Sequence, residues 1–161
     1  SHEGRTIIDF TFPHFEGGLA IEIKTSTVGR EHHILSLDQV SVPENYGHGW
    51  LASLEIREAD HISGVSVADL SSRIIDVLPG DANEVSRQAK ALHDRMEMRG
   101  PACFDEKYRF ILPEGGLRII AMEDVPRPGL RPEISDVEWS VDLSEVPFLE
   151  HLPFLEKANS S

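Results

Sequence analysis

Three charged side chains with the potential for phosphate chemistry lie on two neighbouring β-type segments near the start of the sequence. Asp9 belongs to the run TIIDFTF at 6–12, and Glu22 and Lys24 belong to the run LAIEIKTST at 19–27. Both runs are rich in β-branched and aromatic residues, and the short connection between them contains proline and glycine. This pattern predicts a β-hairpin.

The register of that hairpin decides whether the three side chains meet. If Phe12 faces Leu19 across the turn, Asp9 lies directly opposite Glu22. Because side chains alternate along a strand, Asp9, Glu22 and Lys24 then project from one face, and opposed Cβ atoms are about 4.5–5.5 Å apart. The same register pairs Ile8 with Ile23 and Phe10 with Ile21, which makes the other face apolar.

Two carboxylates at this distance repel each other unless a cation or a raised pKa relieves the repulsion. A divalent metal ion with oxygen ligands would relieve it. The ammonium group of Lys24 could hold or polarise a water molecule, or offset charge that develops on a phosphate. The alternative interpretation is that Asp9, Glu22 and Lys24 form an exposed, salt-bridged face of an antiparallel strand pair.

Asp9 followed by Glu22-Ile23-Lys24 resembles the Asp…(Asp/Glu)-x-Lys signature of the PD-(D/E)XK phosphodiesterases, the restriction-endonuclease-like nucleases. In that superfamily these residues lie on adjacent strands. The wider segments look like one branch of it, encoded beside DNA methyltransferase and other restriction or phage-defence genes. Those segments are IIDFTFPHFEGGLAIEIKTST, HHILSLDQV, GWLASLEI and YRFILPEGGLRII, and they cover most of the chain in order.

The resemblance implies a DNA endonuclease of a restriction or phage-defence system that depends on Mg²⁺, with Mn²⁺ as a substitute. Asp9 and Glu22 would be metal ligands, the main-chain carbonyl of Ile23 would be a third ligand, and Lys24 would position the attacking water. The superfamily's sheet normally follows a helix that often donates another acidic residue. Here only residues 1–5 precede the first strand, so either Glu3 substitutes or the chain is the C-terminal part of a longer protein.

A second departure from the pattern is that Ile8 precedes Asp9, where the superfamily usually has proline. Other candidate residues are weaker. His32 and His33 would point to opposite sides of a strand, so at most one faces the site, and a structural or surface role is the more common one for either. Gln39 is a polar candidate that flanks the site, with a solvent-facing glutamine as the alternative.

The segments after the hairpin predict two further strand regions. Ile34 and Leu35 could close a third strand, and Ser36 is the expected N-cap of a single helical turn that ends at Val40. A loop follows at 43–49 and a strand at 50–57. Trp50 on that strand and Trp139 near the C-terminus are expected to pack in the core or on the sheet rather than stack on bases.

Two amphipathic helices are expected next, at 66–78, where Ser66 and Asp69 form a cap, and at 81–100. A second hairpin is expected from 107–112 and 117–122, and a last strand at 137–143. This order favours an α/β (α+β) fold with a mixed central β-sheet and helices packed on it, a restriction-endonuclease-like core.

Residues 1–146 are expected to form the nuclease-like domain, and 147–161 a C-terminal tail that is partly disordered. The single cysteine, Cys103, is expected to be a small apolar filler. No window is apolar enough to span a membrane, and the first residues lack a signal-peptide pattern. We therefore expect a cytoplasmic protein with no membrane partner.

The net charge of −13 is the opposite of the usual footprint of nucleic-acid binding. Only the stretch 61–110 is near neutral, and a phosphate-facing surface would be sought on its basic residues: Arg73, Arg87, Lys90, Arg95, Arg99, Lys107 and Arg109. We expect other defence subunits or a homodimer partner to supply most of the affinity for DNA. The alternatives are a catalytically inactive docking subunit with a nuclease fold and an acidic DNA mimic.

Overall fold

A computed structural model of the protein describes residues 8–59, 63–66, 69, 72–73, 76, 87, 90–91, 93–95, 98, 109–134 and 136–153. The chain divides into two compact units. One consists of Ser1–Ile56 with Leu112–Ser161, and the other is Arg57–Ile111. The candidate site lies in the first unit.

Strands dominate the described part of the chain. They are β1 (Phe10–Phe12), β2 (Leu19–Ser26), β3 (Glu31–Ile34), β4 (His48–Glu55), β5 (Arg57–Glu58), β6 (Phe110–Ile111), β7 (Leu117–Ala121) and β8 (Trp139–Asp142). Two short 3₁₀ turns, η1 (Leu37–Val40) and η2 (Met122–Asp124), follow β3 and β7.

The central sheet of the first unit has four strands in the order β1-β2-β4-β7. β1 and β2 are antiparallel, β2 and β4 are parallel, and β4 and β7 are antiparallel. The predicted mixed sheet is therefore confirmed. No helix among the residues that the structure describes is long and apolar enough to cross a membrane.

The predicted hairpin register is confirmed for β1 and β2, because Phe12 pairs with Leu19 and Phe10 with Ile21. The strand is shorter than predicted. It begins at Phe10, while Asp9 lies in a bend and Ile8 is buried in a small cluster rather than paired with Ile23. The reason is local, since the Asp9 carboxylate accepts a hydrogen bond from the main-chain N–H of Ile23, and this side-chain bond replaces the next main-chain bond of the ladder.

The turn between β1 and β2 depends on two glycines. Gly17 and Gly18 have φ angles of +82° and +101°, which side-chain-bearing residues rarely adopt. A Cβ atom on Gly18 would also lie 3.0 Å from the Cα of Tyr46. The Gly18 carbonyl accepts hydrogen bonds from the N–H groups of Gly47 and His48, so the turn is tied to the start of β4.

A second, two-stranded sheet formed by β3 and β8 shares the core of this unit. The buried cluster takes side chains from both sheets and from the turns that follow β3 and β7: Ile34, Val40, Leu51, Ile120, Val125, Val141 and Leu143. One face of the central sheet is therefore covered by strands and 3₁₀ turns. Helices packed on the sheet remain a prediction.

In the second unit, β5 pairs with β6, and Val65 bridges Phe110. The predicted cap is confirmed: the Ser66 hydroxyl accepts from the Asp69 N–H at 3.1 Å, and the Asp69 carboxylate accepts from the Ser66 N–H at 3.4 Å. The described residues between 69 and 98 that fall in the two predicted helices are helical. The C-terminal end of the first helix, both ends of the second helix and Cys103 lie outside the described residues.

The predicted second hairpin, 107–112 with 117–122, is wrong. The Pro113–Gly116 turn forms, with the Gly116 N–H donating to the Pro113 carbonyl, but the strands on its two sides do not pair. β6 pairs with β5, whereas β7 pairs with β4. The long apolar β4 offers β7 a five-residue partner, so long-range pairing prevails over the local turn signal.

The predicted tail begins with ordered contacts. Leu149 exchanges two main-chain hydrogen bonds with Ile119 on β7, at 2.7 and 2.8 Å. The Arg118 guanidinium lies 4.2 Å from the centroid of the Phe148 ring. Residues 154–161 lie outside the described part of the chain.

Candidate active site

The Asp9 and Glu22 carboxylates each accept a hydrogen bond from a main-chain N–H group at or next to the other residue. The Glu22 Oε2 atom accepts a hydrogen bond from the Asp9 N–H at 3.3 Å, and the Asp9 Oδ2 atom accepts one from the Ile23 N–H at 2.8 Å. These two bonds continue the β1–β2 pairing beyond Phe10 with side chains in place of carbonyls. The bend at Asp9 therefore brings its carboxylate to the backbone of β2.

Burial differs sharply between the two carboxylates. Asp9 is exposed, whereas only 2% of Glu22 is exposed. Burial is the main reason why the pKa of Glu22 is raised, and repulsion from Asp9 adds to it. The ammonium group of Lys24 opposes both effects. The buried carboxylate therefore holds a charge that one cation offsets only in part.

Lys24 stands on the same face of β2 and contacts Glu22. Its Nζ atom lies 3.4 Å from the Glu22 Oε1 atom and donates to the Gln39 Oε1 atom at 3.0 Å. The Lys24 side chain is 15% exposed, so most of it is shielded while part remains open to solvent. This arrangement holds an ammonium group beside the carboxylate pair.

Gln39, which the sequence places beside the site, contacts it directly. Its Oε1 atom accepts from the Lys24 ammonium and also from the Leu35 N–H at 2.9 Å. Gln39 is 8% exposed and lies on η1, immediately after β3. The predicted serine cap of this turn is wrong in one respect, because the Ser36 hydroxyl makes no capping hydrogen bond.

Behind Lys24 lies a buried polar cluster, of which only His32 was a candidate from the sequence. Ser53 is the β4 residue paired with Lys24, and its hydroxyl lies 2.7 Å from His32 Nε2 and 3.1 Å from Arg30 Nη1. Arg30 donates as well to the main-chain carbonyls of Ser53 and Gly115. All three side chains are at most 5% exposed.

Burial first, and then the positive charges around it, keep His32 neutral. Burial, with the positive charges of Arg30 and Lys24, lowers the pKa of His32 to about 4. Since an arginine donates only, the Ser53 hydroxyl oxygen accepts from Arg30, and the same hydroxyl is hydrogen-bonded to His32 Nε2. The prediction that His32 and His33 point to opposite sides of a strand is confirmed, because His32 is buried and His33 is exposed. The pairing of Lys24 with Ser53 is a long-range feature that the sequence does not show.

The remaining candidates have other surroundings. His33 is exposed and bonds Glu138 at 3.0 Å, and Trp139 packs partly against the main core. Of the basic residues proposed to face phosphate, Arg73, Arg87, Lys90 and Arg95 are exposed, and Arg109 is bonded to Asp69. Arg99 and Lys107 lie outside the described residues.

The donor chemistry of this site fits a small hard cation. Mg²⁺ prefers oxygen ligands and is usually held by one or two carboxylates, with water and substrate phosphate completing its shell. Asp9 and Glu22 supply two such carboxylates, and the carbonyl of Ile23 lies between Glu22 and Lys24 on β2. The described residues contain no group of three or more acidic, histidine or cysteine side chains that could hold a metal. A bound ion would thus depend on this pair.

Comparison with known protein families supports the same interpretation. Residues 6–144 match the family model DUF4420, described as "Putative PD-(D/E)XK family member". The chain belongs to this family. The matched range includes Asp9, Glu22, Lys24 and Gln39, and membership indicates a nuclease-like fold. The comparisons with curated proteins and with solved structures give no match.

Proposed function

We propose that this chain is a Mg²⁺-dependent DNA endonuclease that works in the cytoplasm as part of a restriction or phage-defence system. The observation that carries the proposal is the contact set of Glu22. This buried carboxylate accepts from the main chain of Asp9 on one side and pairs with Lys24 on the other, within a chain of the PD-(D/E)XK family. Such a set suits hydrolysis of a phosphodiester.

Asp9 and Glu22 would bind the Mg²⁺ ion, with the Ile23 carbonyl as a third ligand and Mn²⁺ as a substitute ion. A bound Mg²⁺ ion supplies polarisation of the scissile phosphate and a more acidic water molecule. The cation would also offset the charge that raises the pKa of Glu22 and reverse the sign of the local field. An acidic cleft can then accept a phosphate.

Lys24 would orient the attacking water and offset negative charge on the phosphate as the water oxygen bonds to phosphorus and the opposite P–O bond breaks. Its partial exposure suits this role, because its ammonium group is anchored by protein atoms while part of the side chain faces solvent. The products are a phosphomonoester and a hydroxyl group.

The DNA partner must overcome a net charge of −13. We infer that other defence subunits or a second copy of the chain supply most of the binding to the DNA backbone. An acidic DNA mimic would spread its carboxylates over a surface, whereas Asp9 and Glu22 converge and Glu22 is buried. The convergence favours the nuclease.

A cleavage assay tests the proposal. Supercoiled plasmid is incubated with the chain, alone and assembled with its partner subunits, in Mg²⁺, Mn²⁺ or EDTA, and nicked and linear products are measured. We expect metal-dependent cleavage that Asp9→Ala and Lys24→Ala each abolish, while Glu44→Gln, an exposed carboxylate on a loop, leaves it intact. Cleavage by the assembled system that survives both alanine changes would instead assign the chain a docking role.

A further inference from the structure

Among the contacts of the described residues, Gln39 is the one neutral side chain that accepts a hydrogen bond from the Lys24 ammonium group. Its Oε1 atom lies 3.0 Å from Lys24 Nζ, on a residue that is 8% exposed. The same oxygen accepts from the Leu35 N–H at 2.9 Å. Because one amide oxygen takes both bonds, the orientation of the Gln39 side chain is fixed by the main chain of the β3–η1 connection.

We infer that Gln39 is a positioning residue for Lys24 in the reaction, an inference that rests on the proposed function. A lysine side chain has four rotatable bonds and a strongly hydrated head, so a single contact with Glu22 would leave its ammonium group free to swing. The Gln39 oxygen is a second anchor. The two contacts together restrict where the ammonium group can meet a water molecule.

The charge of the anchor matters as well. A carboxylate in place of Gln39 would put a third negative group beside Asp9 and Glu22, whereas an amide oxygen accepts the hydrogen bond without adding charge. Gln39 therefore orders Lys24 and leaves its positive charge available to Glu22 and to an incoming phosphate. Replacing it with an apolar residue of similar length removes this anchor together with the hydrogen bond from the Leu35 N–H, so a control for the turn is needed.

The test combines kinetics with direct observation of the lysine. The chain has only four lysines, so ¹⁵N-lysine labelling gives few Nζ signals, and loss of one in Lys24→Arg assigns it. We expect Gln39→Met to shift or broaden the Lys24 signal and to lower kcat by about 10- to 100-fold, the range that a small misplacement of a reacting group produces. KM should stay within about twofold, because uniform binding is unchanged.

Ser41→Ala is the matched control. The Ser41 hydroxyl donates to the Leu37 carbonyl at 2.7 Å, so this change loosens the same turn without touching Lys24. It should leave both the Lys24 signal and kcat unchanged. If Ser41→Ala reproduces the effects of Gln39→Met, the role of Gln39 is only to hold the turn, and the inference is overturned.

A second variant guards against misfolding. Gln39→Glu keeps an acceptor for both Lys24 and Leu35, so the Lys24 signal should persist even if the added charge changes the rate. An unchanged Lys24 signal or an unchanged kcat in folded Gln39→Met would overturn the inference. A wild-type chain that cleaves nothing even when assembled with its partner subunits would refute the proposed function instead, and the lysine signals would still show whether Gln39 holds Lys24.

Discussion

Two hydrogen bonds hold Glu22 and Asp9 together. The Glu22 carboxylate accepts from the Asp9 N–H at 3.3 Å, and the Asp9 carboxylate accepts from the N–H of Ile23, the residue after Glu22, at 2.8 Å. This linkage places two negative groups together before any cation is bound. The repulsion contributes to the raised pKa of Glu22, after burial. The apo protein therefore stores a destabilising interaction that a metal ion would remove.

Added Mg²⁺ should accordingly stabilise the wild-type protein against heat. A ligand at one hundred times its Kd stabilises a folded protein by about 2.7 kcal/mol, which corresponds to roughly 5–10 °C in Tm for a chain of this size. Asp9→Asn should abolish this shift and leave the apo Tm equal or higher, because an asparagine oxygen can still accept from Ile23 while the repulsion disappears.

Differential scanning fluorimetry over a Mg²⁺ and Mn²⁺ titration measures these shifts. Glu44→Gln serves as the control, since it removes an exposed carboxylate outside the site and should retain the full response. A wild-type Tm that neither ion changes would contradict the assignment of Asp9 and Glu22 as ligands.

Loss of the Lys24 ammonium group should lower the free energy of unfolding, because the buried Glu22 carboxylate then lacks its cation. Removing one partner of a buried ion pair destabilises a protein by about 3 kcal/mol or more. We expect Lys24→Met to show a loss of this size at pH 7 in urea denaturation. The loss should be smaller at pH 5, because without Lys24 the pKa of Glu22 rises further and the carboxyl protonates as the pH falls.

The double variant Glu22→Gln/Lys24→Met completes the cycle. It should be more stable than Lys24→Met, because the uncompensated charge is gone, and the coupling between the two changes should exceed about 1 kcal/mol. Additive effects in the cycle would mean that the 3.4 Å contact between these residues contributes nothing to folding.

The hairpin that carries the site was predictable because its signals are local. Alternating apolar residues and a turn with Gly17 and Gly18 fixed the register of Phe10 and Phe12 on β2. The bend at Asp9 was not predictable, since it depends on a side chain that competes with the backbone for the Ile23 N–H. The same alternation placed Glu22 on the face opposite Phe10 and Ile23. The structure buries Glu22 and leaves Phe10 and Ile23 exposed, the reverse of what their residue types suggest.

Long-range contacts account for the features that the sequence did not reveal. Gln39 reaches Lys24 only because β3 and η1 pack over the central sheet, and Ser53 lies beside Lys24 only because β2 and β4 are parallel. The false hairpin at 107–122 has the same origin, since a correct local turn was assigned the wrong strand partners. The polar cluster behind Lys24 therefore became visible only in the folded chain.

The buried cluster of Arg30, His32 and Ser53 should make the free energy of unfolding fall as the pH is lowered into the acid range. His32 has a pKa of about 4 in the folded state against 6.5 as the ordinary value. As the pH falls from 6.5 to 4, His32 therefore binds a proton in the unfolded chain but not in the folded chain. The free energy of unfolding is retained above pH 6.5 and falls by about 3 kcal/mol across this window.

His32→Gln should flatten this dependence, because a glutamine amide can hydrogen-bond the Ser53 hydroxyl without titrating. Chemical denaturation at half-unit pH steps compares the slopes. His33→Gln is the control, since His33 is exposed and lies outside the cluster. A wild-type slope that His32→Gln leaves unchanged would assign the acid limit to another group.

The packing beneath the hairpin gives a last prediction. Gly49 on β4 lies opposite Ala20 on β2, and a Cβ atom built on Gly49 would lie 2.6 Å from Met122 Sδ and 2.8 Å from Val42 Cγ2. Met122 is fully buried and packs with Ala20 and Ile8, the residue before Asp9. Gly49→Ala should therefore destabilise the fold by about 1–3 kcal/mol through overpacking.

The same displacement should reach the site, because moving Met122 disturbs Ile8 and with it the bend that presents Asp9. We expect Gly49→Ala to weaken the Mg²⁺-dependent rise in Tm as well as to lower the apo Tm. Gly129→Ala is the matched control, since nothing lies within 4 Å of a Cβ atom there. If Gly49→Ala lowers the apo Tm but leaves the metal response intact, Met122 yields without moving Ile8, and the bend at Asp9 is held by its hydrogen bond to Ile23 alone.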